Sequence, residues 1–150
     1  MATLRFVTPL SAPADVVWTH ATLPAGINRE LGPLMKMTFP KGIETLDEDT
    51  VPIGEPICTS WFLLFGCVPI DRARVTLKQI GPGHRFVEES PLLSMKLWRH
   101  TREVCPTEHG SEMADLLEFE PRWPIPTAAV SWLIRRIFTH RHSRLRRAFG

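Results

Sequence analysis

The sequence predicts an α+β domain in which a curved antiparallel sheet of about six or seven strands packs on one long C-terminal helix, with two short helices after the first strand. Two observations predict it. In the final stretch Val130, Leu133, Ile134, Ile137, Phe138, Leu145 and Phe149 recur at spacings of three, four and seven, the period of one helical face, while Arg135, Arg136, Arg144, Arg146 and Arg147 mostly fall elsewhere. Between residues 34 and 121 apolar and polar residues alternate in successive segments joined by turns too short for parallel crossovers, so the sheet must be antiparallel. A helix segregated to one face of such a sheet is the α+β arrangement.

Residues 3–7 set Leu4 and Phe6 against Thr3, Arg5 and Val7, a first strand that ends at Pro9. Ser11 is a candidate N-cap for a short helix with Pro13 in its first turn and Val16, Val17 and Trp18 on its apolar side; Pro24 breaks it. Residues 25–31 form a second short helix, stopped by Gly32 and Pro33. A strand follows at 34–39, then a loop over 40–56 that carries at most one short strand. Residues 57–70, ICTSWFLLFGCVPI, read as one nearly continuous apolar strand with a bulge at Gly66. Residues 71–80 alternate Ala73, Val75 and Leu77 against Arg72, Arg74, Thr76 and Lys78, a strand with one wet face.

After a turn at 81–83, the strand 84–90 puts Phe86 and Glu88 on one face, and the strand 94–104 does the same for Trp98, His100 and Arg102. A turn over 106–112 leads into a last strand whose Met113, Asp115, Leu117 and Phe119 share a face. The proline-rich corner before Pro126 opens the final helix, with Thr127 as candidate N-cap; at ~1.5 Å per residue this helix spans ~35 Å, the width of a small domain.

A chain of 150 residues, 43% hydrophobic and 23% charged, is expected to form one globular domain, residues 1–150. The formal net charge of +2 gives no global electrostatic case for nucleic acid, although six arginines from Arg135 onward make a local positive patch that reads mainly as a solvated helix face. Three cysteines, Cys58, Cys67 and Cys105, with no CxxC, suggest neither a disulfide framework nor a zinc site; Cys58 and Cys67 read as buried, inert thiols. No signal-like or membrane-spanning run is present, and the expected location is the cytoplasm. Neither GxSxG, HExxH, a phosphate-binding glycine loop nor a dinucleotide fingerprint occurs, and His140 and His142, two apart on a helix, point away from each other, so no metal or cofactor is expected.

The strand parities assemble one polar constellation. Glu88 shares a face with Phe86, His100 with Trp98, and Asp115 with Met113 and Leu117, so two carboxylates and an imidazole project toward a cavity if that face is the concave one. A buried carboxylate needs a partner, and such a group orders strands, anchors a ligand head group or acts as general acid or base. An aromatic and methionine set that includes Met35, Met37, Phe39, Trp61, Phe62 and Met95 is equally suited to a pocket or to a core.

The order of elements, with Phe86 and Glu88, Trp98 and His100, Asp115, and then Phe138, Arg141, His142, Leu145 and Phe149, resembles the START-like superfamily with the helix-grip fold, also called the SRPBCC or polyketide cyclase/coenzyme Q-binding group. It is most similar to the small domain found alone or fused to nucleotide-sugar epimerase-like proteins; because the chain stops at Gly150, no epimerase domain is expected beside it. The residue-level likeness runs from Arg85 to the end, and before that only the element order matches. The resemblance implies a cavity between sheet and helix for a hydrophobic or amphipathic molecule such as a lipid, sterol, polyketide or isoprenoid quinone, and cyclase or dehydratase activity in a minority of members.

Noncatalytic binding of such a molecule is the leading expectation. Trp61, Phe86, Glu88, Trp98, His100, Asp115, Leu117 and Phe119 are the expected ligand contacts from the sheet, and Val130, Ile134, Ile137 and Phe138 those from the helix, with Arg102 a further candidate for fixing a polar end. The alternatives are a cyclase- or dehydratase-type enzyme with His100, Glu88 and Asp115 as acid/base candidates, and an interaction module whose Arg-rich C-terminus makes a weak contact with an anionic membrane.

Overall fold

The computed structural model describes residues 1–39 and 52–150, so the loop and short strand expected over 40–56 fall largely outside the described residues. The elements are β1 (Ala2–Leu10), α1 (Ala14–Ala21), α2 (Pro24–Leu31), β2 (Met35–Met37), β3 (Pro56–Leu64), β4 (Val68–Ile80), β5 (Arg85–Glu89), β6 (Met95–Thr107), β7 (Gly110–Pro121) and α3 (Thr127–Phe149). They form an α+β helix-grip fold: a curled antiparallel sheet of seven strands, in the order β1-β7-β6-β5-β4-β3-β2, holding α3. Strands β2 to β7 follow one another as a meander, whereas β1 closes the far edge against β7. The short helices α1 and α2 therefore carry the chain from one sheet edge to the other.

Register shifts bend the sheet. They occur in the β3–β4 pairing at Pro56/Cys58 and Phe62/Leu63, in β4–β5 at Leu77/Gln79, and in β6–β7 at Met95/Leu97. An extra residue in one strand raises local twist and turns the strand. Residues 57–70, expected as one strand, are two: Phe65 and Gly66 take positive φ values of 54° and 79° and reverse the chain between β3 and β4. Gly66 is thus a hairpin residue and not a bulge, and Cys67, expected to be buried, is exposed at this tip. The turn expected over 106–112 shrinks to Glu108 and His109, because Cys105 and Glu112 still pair across the β6–β7 hairpin.

The helix starts also differ from expectation. Pro13 and Pro126 occupy the N-cap positions of α1 and α3 with no side-chain cap. Ser11, expected to cap α1, instead donates its hydroxyl to the Phe149 carbonyl at 3.0 Å, and the Ser11 and Ala12 amides donate to the same oxygen. The last turn of α3 is tied by these bonds to the end of β1. Gly26 lets α2 fold tightly on α1, since a Cβ there would overlap the His20 carbonyl oxygen. No described helix is long and apolar enough to cross a membrane.

Candidate functional site: a cavity backed by a buried ionic cluster

Seven strands spaced ~4.8 Å apart make a surface roughly three times as wide as a helix of ~10 Å diameter can cover. Helix α3 packs chiefly on β1, with less contact to β7. Phe6 of β1 stacks on Phe138 with ring centroids 5.7 Å apart. The half of the sheet built from β3, β4 and β5 is left uncovered by α3, and between it, α2 and the apolar face of α3 lies a cavity of about 320 Å³.

Of the residues expected at a ligand, Phe86, Glu88, Trp98 and His100 from the sheet and Val130, Ile134, Ile137 and Phe138 from α3 line this cavity. Trp61, Asp115, Leu117 and Phe119 do not. Trp61 is half exposed under the Arg72 guanidinium, 5.4 Å from its ring centre, and the alternation of β3 turns its neighbour Phe62 inward instead. Leu117 and Phe119 are wholly buried under α3, packed with Ile134 and Phe138. Asp115 is wholly buried behind His100. Arg102, expected near a polar end, is also wholly buried and lines no part of the cavity.

Cross-strand register explains the polar constellation. Glu88 pairs with His100 between β5 and β6, and Arg102 pairs with Asp115 between β6 and β7, which leaves His100 diagonal to Asp115. Asp115 Oδ1 accepts from Arg102 Nε at 2.7 Å and lies 2.7 Å from His100 Nε2; its Oδ2 accepts from Arg102 Nη2 at 2.9 Å and lies 2.7 Å from His142 Nε2. Arg102 reaches in the other direction to Glu30 of α2, donating Nη1 to Oε2 at 3.0 Å and Nη2 to Oε1 at 2.8 Å. Arg141 Nε donates to the same Oε1 at 3.2 Å, and His20 Nε2 lies 3.4 Å from Oε2. The cluster clamps α2, the sheet and α3 together.

Burial opposes ionisation of Glu30, but the Arg102 and Arg141 guanidiniums and the hydrogen bonds from His20 and Arg102 outweigh it and hold the carboxyl well below the usual carboxylate range. For Asp115 burial again opposes, and the charge of Arg102 with the hydrogen bonds from His100 and His142 wins in the same direction. Burial works against the charge on Arg102, yet Asp115 and Glu30 more than restore it and raise its pKa. Arg141 is pushed down by burial and by the nearby Arg102 charge, against the pull of Glu30 and Asp115.

An ionised Asp115 can only accept, so both histidines donate to it from Nε2. His142 Nδ1 is hydrogen-bonded to the Thr8 hydroxyl at 2.6 Å, and His100 Nδ1 turns toward Glu88, 4.0 Å away at the cavity wall. Ser90 donates its hydroxyl to the other Glu88 oxygen at 2.8 Å.

Glu30 was not among the expected site residues, yet its place was readable: it falls three residues after Ile27 and one before Leu31, on the buried face of α2. Arg141 follows Ile134, Ile137 and Phe138 by seven, four and three, and so lies on the apolar face of α3, buried and lining the cavity. The Arg-rich side is therefore not all solvent-facing, although Arg135, Arg136, Arg146 and Arg147 are exposed. Among the described residues no group of three His, Cys, Asp or Glu side chains could hold a metal ion.

A profile described as a domain of unknown function, DUF8410, matches residues 8–149. No curated protein matches the sequence significantly. Among solved structures the chain is similar to a protein from Chromobacterium violaceum, with a TM-score of 0.71 and 18% identity over 97% of this chain and 96% of that one. It is similar also to a START superfamily protein from Mycobacterium smegmatis, with a TM-score of 0.69 and 10% identity over 96% of this chain and 94% of the other. A protein of the dynemicin biosynthetic locus aligns with a TM-score of 0.62 and 15% identity over 97% of this chain and 46% of its own. These likenesses show a START-like fold.

Proposed function

We propose that this chain, which belongs to the DUF8410 family, binds a hydrophobic or amphipathic small molecule between its sheet and α3. The cavity itself carries the reading: about 320 Å³, walled mostly by aliphatic and aromatic side chains, with Glu88, His100 and Arg141 among its few polar groups. That is the size and character of a small-molecule site, where apolar burial at ~25 cal/mol per Å² supplies affinity and a few polar groups orient the ligand. The START superfamily neighbour supports the same reading at the level of fold.

A lipid-like ligand should copurify with the protein and be seen by native mass spectrometry. At a hundred times its Kd an apolar ligand should add about 2.7 kcal/mol of stability, a rise of several degrees in Tm. Val130→Trp, which fills the cavity wall, should remove that rise while leaving the unliganded protein folded. No copurified ligand and no thermal shift across a panel of apolar compounds would exclude the proposal.

One observation favours a second reading, an acid/base enzyme of cyclase or dehydratase type. Asp115, 2.7 Å from His100 Nε2, fixes the tautomer that leaves Nδ1 free to take a proton at the cavity wall. His100→Gln should then abolish turnover of a bound ligand with little change in its Kd. Equal turnover in the variant would remove His100 from the chemistry.

A further inference from the structure

Within that proposed cavity, on whose existence as a ligand site this inference rests, Arg141 has hydrogen-bonding capacity to spare. Its side chain is 8% exposed, its Nε is bonded to Glu30, and its guanidinium carbon lies 5.0 Å from the centre of the Phe138 ring. Nη1 and Nη2 donate to no other described residue. Among the described residues no fully enclosed side-chain nitrogen or oxygen lacks a partner, so neither of these two groups is fully enclosed, and Arg141 lines the cavity. A nearly buried arginine of the cavity lining thus keeps two nitrogens with no partner among the described residues.

The charges around it select among acceptors. In the cluster behind the wall, Arg102 and Arg141 balance Glu30 and Asp115. Among the described residues of the lining, two carboxylates remain. Glu88 faces His100 at 4.0 Å and is bonded to Ser90. Asp71 accepts from the Ser94 hydroxyl and from the Ser94 and Arg72 amides. A free carboxylate entering this space would meet an arginine already neutralised by Glu30 and would add a further anion to a low-dielectric site. A neutral carbonyl oxygen can accept from the Arg141 fork without that cost.

We propose that Arg141 recognises a neutral carbonyl group on an otherwise apolar ligand and that Glu88 and Asp71 discriminate against free carboxylic acids. The ligand class is accordingly a ketone, ester, lactone or amide rather than a fatty acid.

Three probes of equal carbon count separate the contributions: pentylbenzene, valerophenone and 5-phenylpentanoate, titrated calorimetrically into the full chain at neutral pH. In the wild type valerophenone should bind and 5-phenylpentanoate should bind more weakly. Arg141→Lys keeps a cation beside Glu30 but loses the fork. It should lower the ratio of valerophenone to pentylbenzene affinity about ten-fold, the value of one charged hydrogen bond. Glu88→Gln should raise the affinity of 5-phenylpentanoate relative to valerophenone, also by about ten-fold, and it serves alone if Arg141→Lys does not fold.

Pentylbenzene binding with both ratios unmoved by the variants would overturn this inference and leave the cavity reading intact. So would tighter binding of the carboxylate than of the ketone in the wild type. Failure of all three probes to bind would overturn this inference, and the cavity reading falls with it only if no ligand copurifies and no apolar compound raises the Tm.

Discussion

Arg102→Met is expected to cost about 3–5 kcal/mol, a large share of the ~5–15 kcal/mol that holds a domain folded, and to move the urea midpoint far down with little change in slope. Methionine approximates the arginine stem, so packing is largely kept, but four hydrogen bonds vanish and Glu30 and Asp115 lose the guanidinium they share. With Glu30 1% and Asp115 0% exposed, water cannot replace it. The triple variant Arg102→Met, Glu30→Gln, Asp115→Asn should recover much of the loss, because removing a buried ionic set together is far cheaper than breaking it. A triple variant no more stable than the single one would show that the penalty lies in lost packing and not in uncompensated charge.

Acid should unfold the protein steeply. Both Glu30 and Asp115 are held below the ordinary carboxylate range in the fold. In the unfolded chain they titrate near ~4.3 and ~3.9. Their contribution is therefore fully present above about pH 5, and it is lost progressively as the pH falls below the unfolded values toward the depressed folded ones. Two groups taking up a proton only on unfolding give a slope of up to about 2.7 kcal/mol per pH unit in that window. Urea denaturation at a series of pH values from neutral to acid measures it, and Glu30→Gln should make the acid limb visibly shallower. An unchanged acid limb in that variant would mean that Glu30 is not ionised in the folded cluster.

Local patterning carried much of the fold. The period of Val130, Ile134, Ile137 and Phe138 marks a helix face whatever surrounds it, and the alternation of Ala73, Val75 and Leu77, or of Met113, Asp115, Leu117 and Phe119, marks a strand face for the same reason. The site was legible to the extent that it follows from those faces. Glu88 and His100 share the concave side because both strands keep strict alternation, and the register that pairs them is local to one hairpin. Where a strand is apolar on both faces, reading fails: β3 alternates in space, with Phe62 inward and Trp61 outside, but its run of apolar residues does not say which face is which. A positive φ at Phe65, a residue with no propensity for it, leaves no local signature.

What the sequence determined by itself is the set of elements and which side chains share a face, because both are consequences of backbone period. The depth of each residue behind its face was decided only in three dimensions. Asp115, Leu117 and Phe119 lie on the concave side, but they are buried beneath α3, so they are sealed from the cavity that His100 and Glu88 line one and two strands away. The meeting of Glu30 with Arg102 and Arg141, 72 and 111 residues distant, likewise has no local cause. It depends on α1 and α2 carrying the chain across the sheet, and on a helix too narrow to cover seven strands.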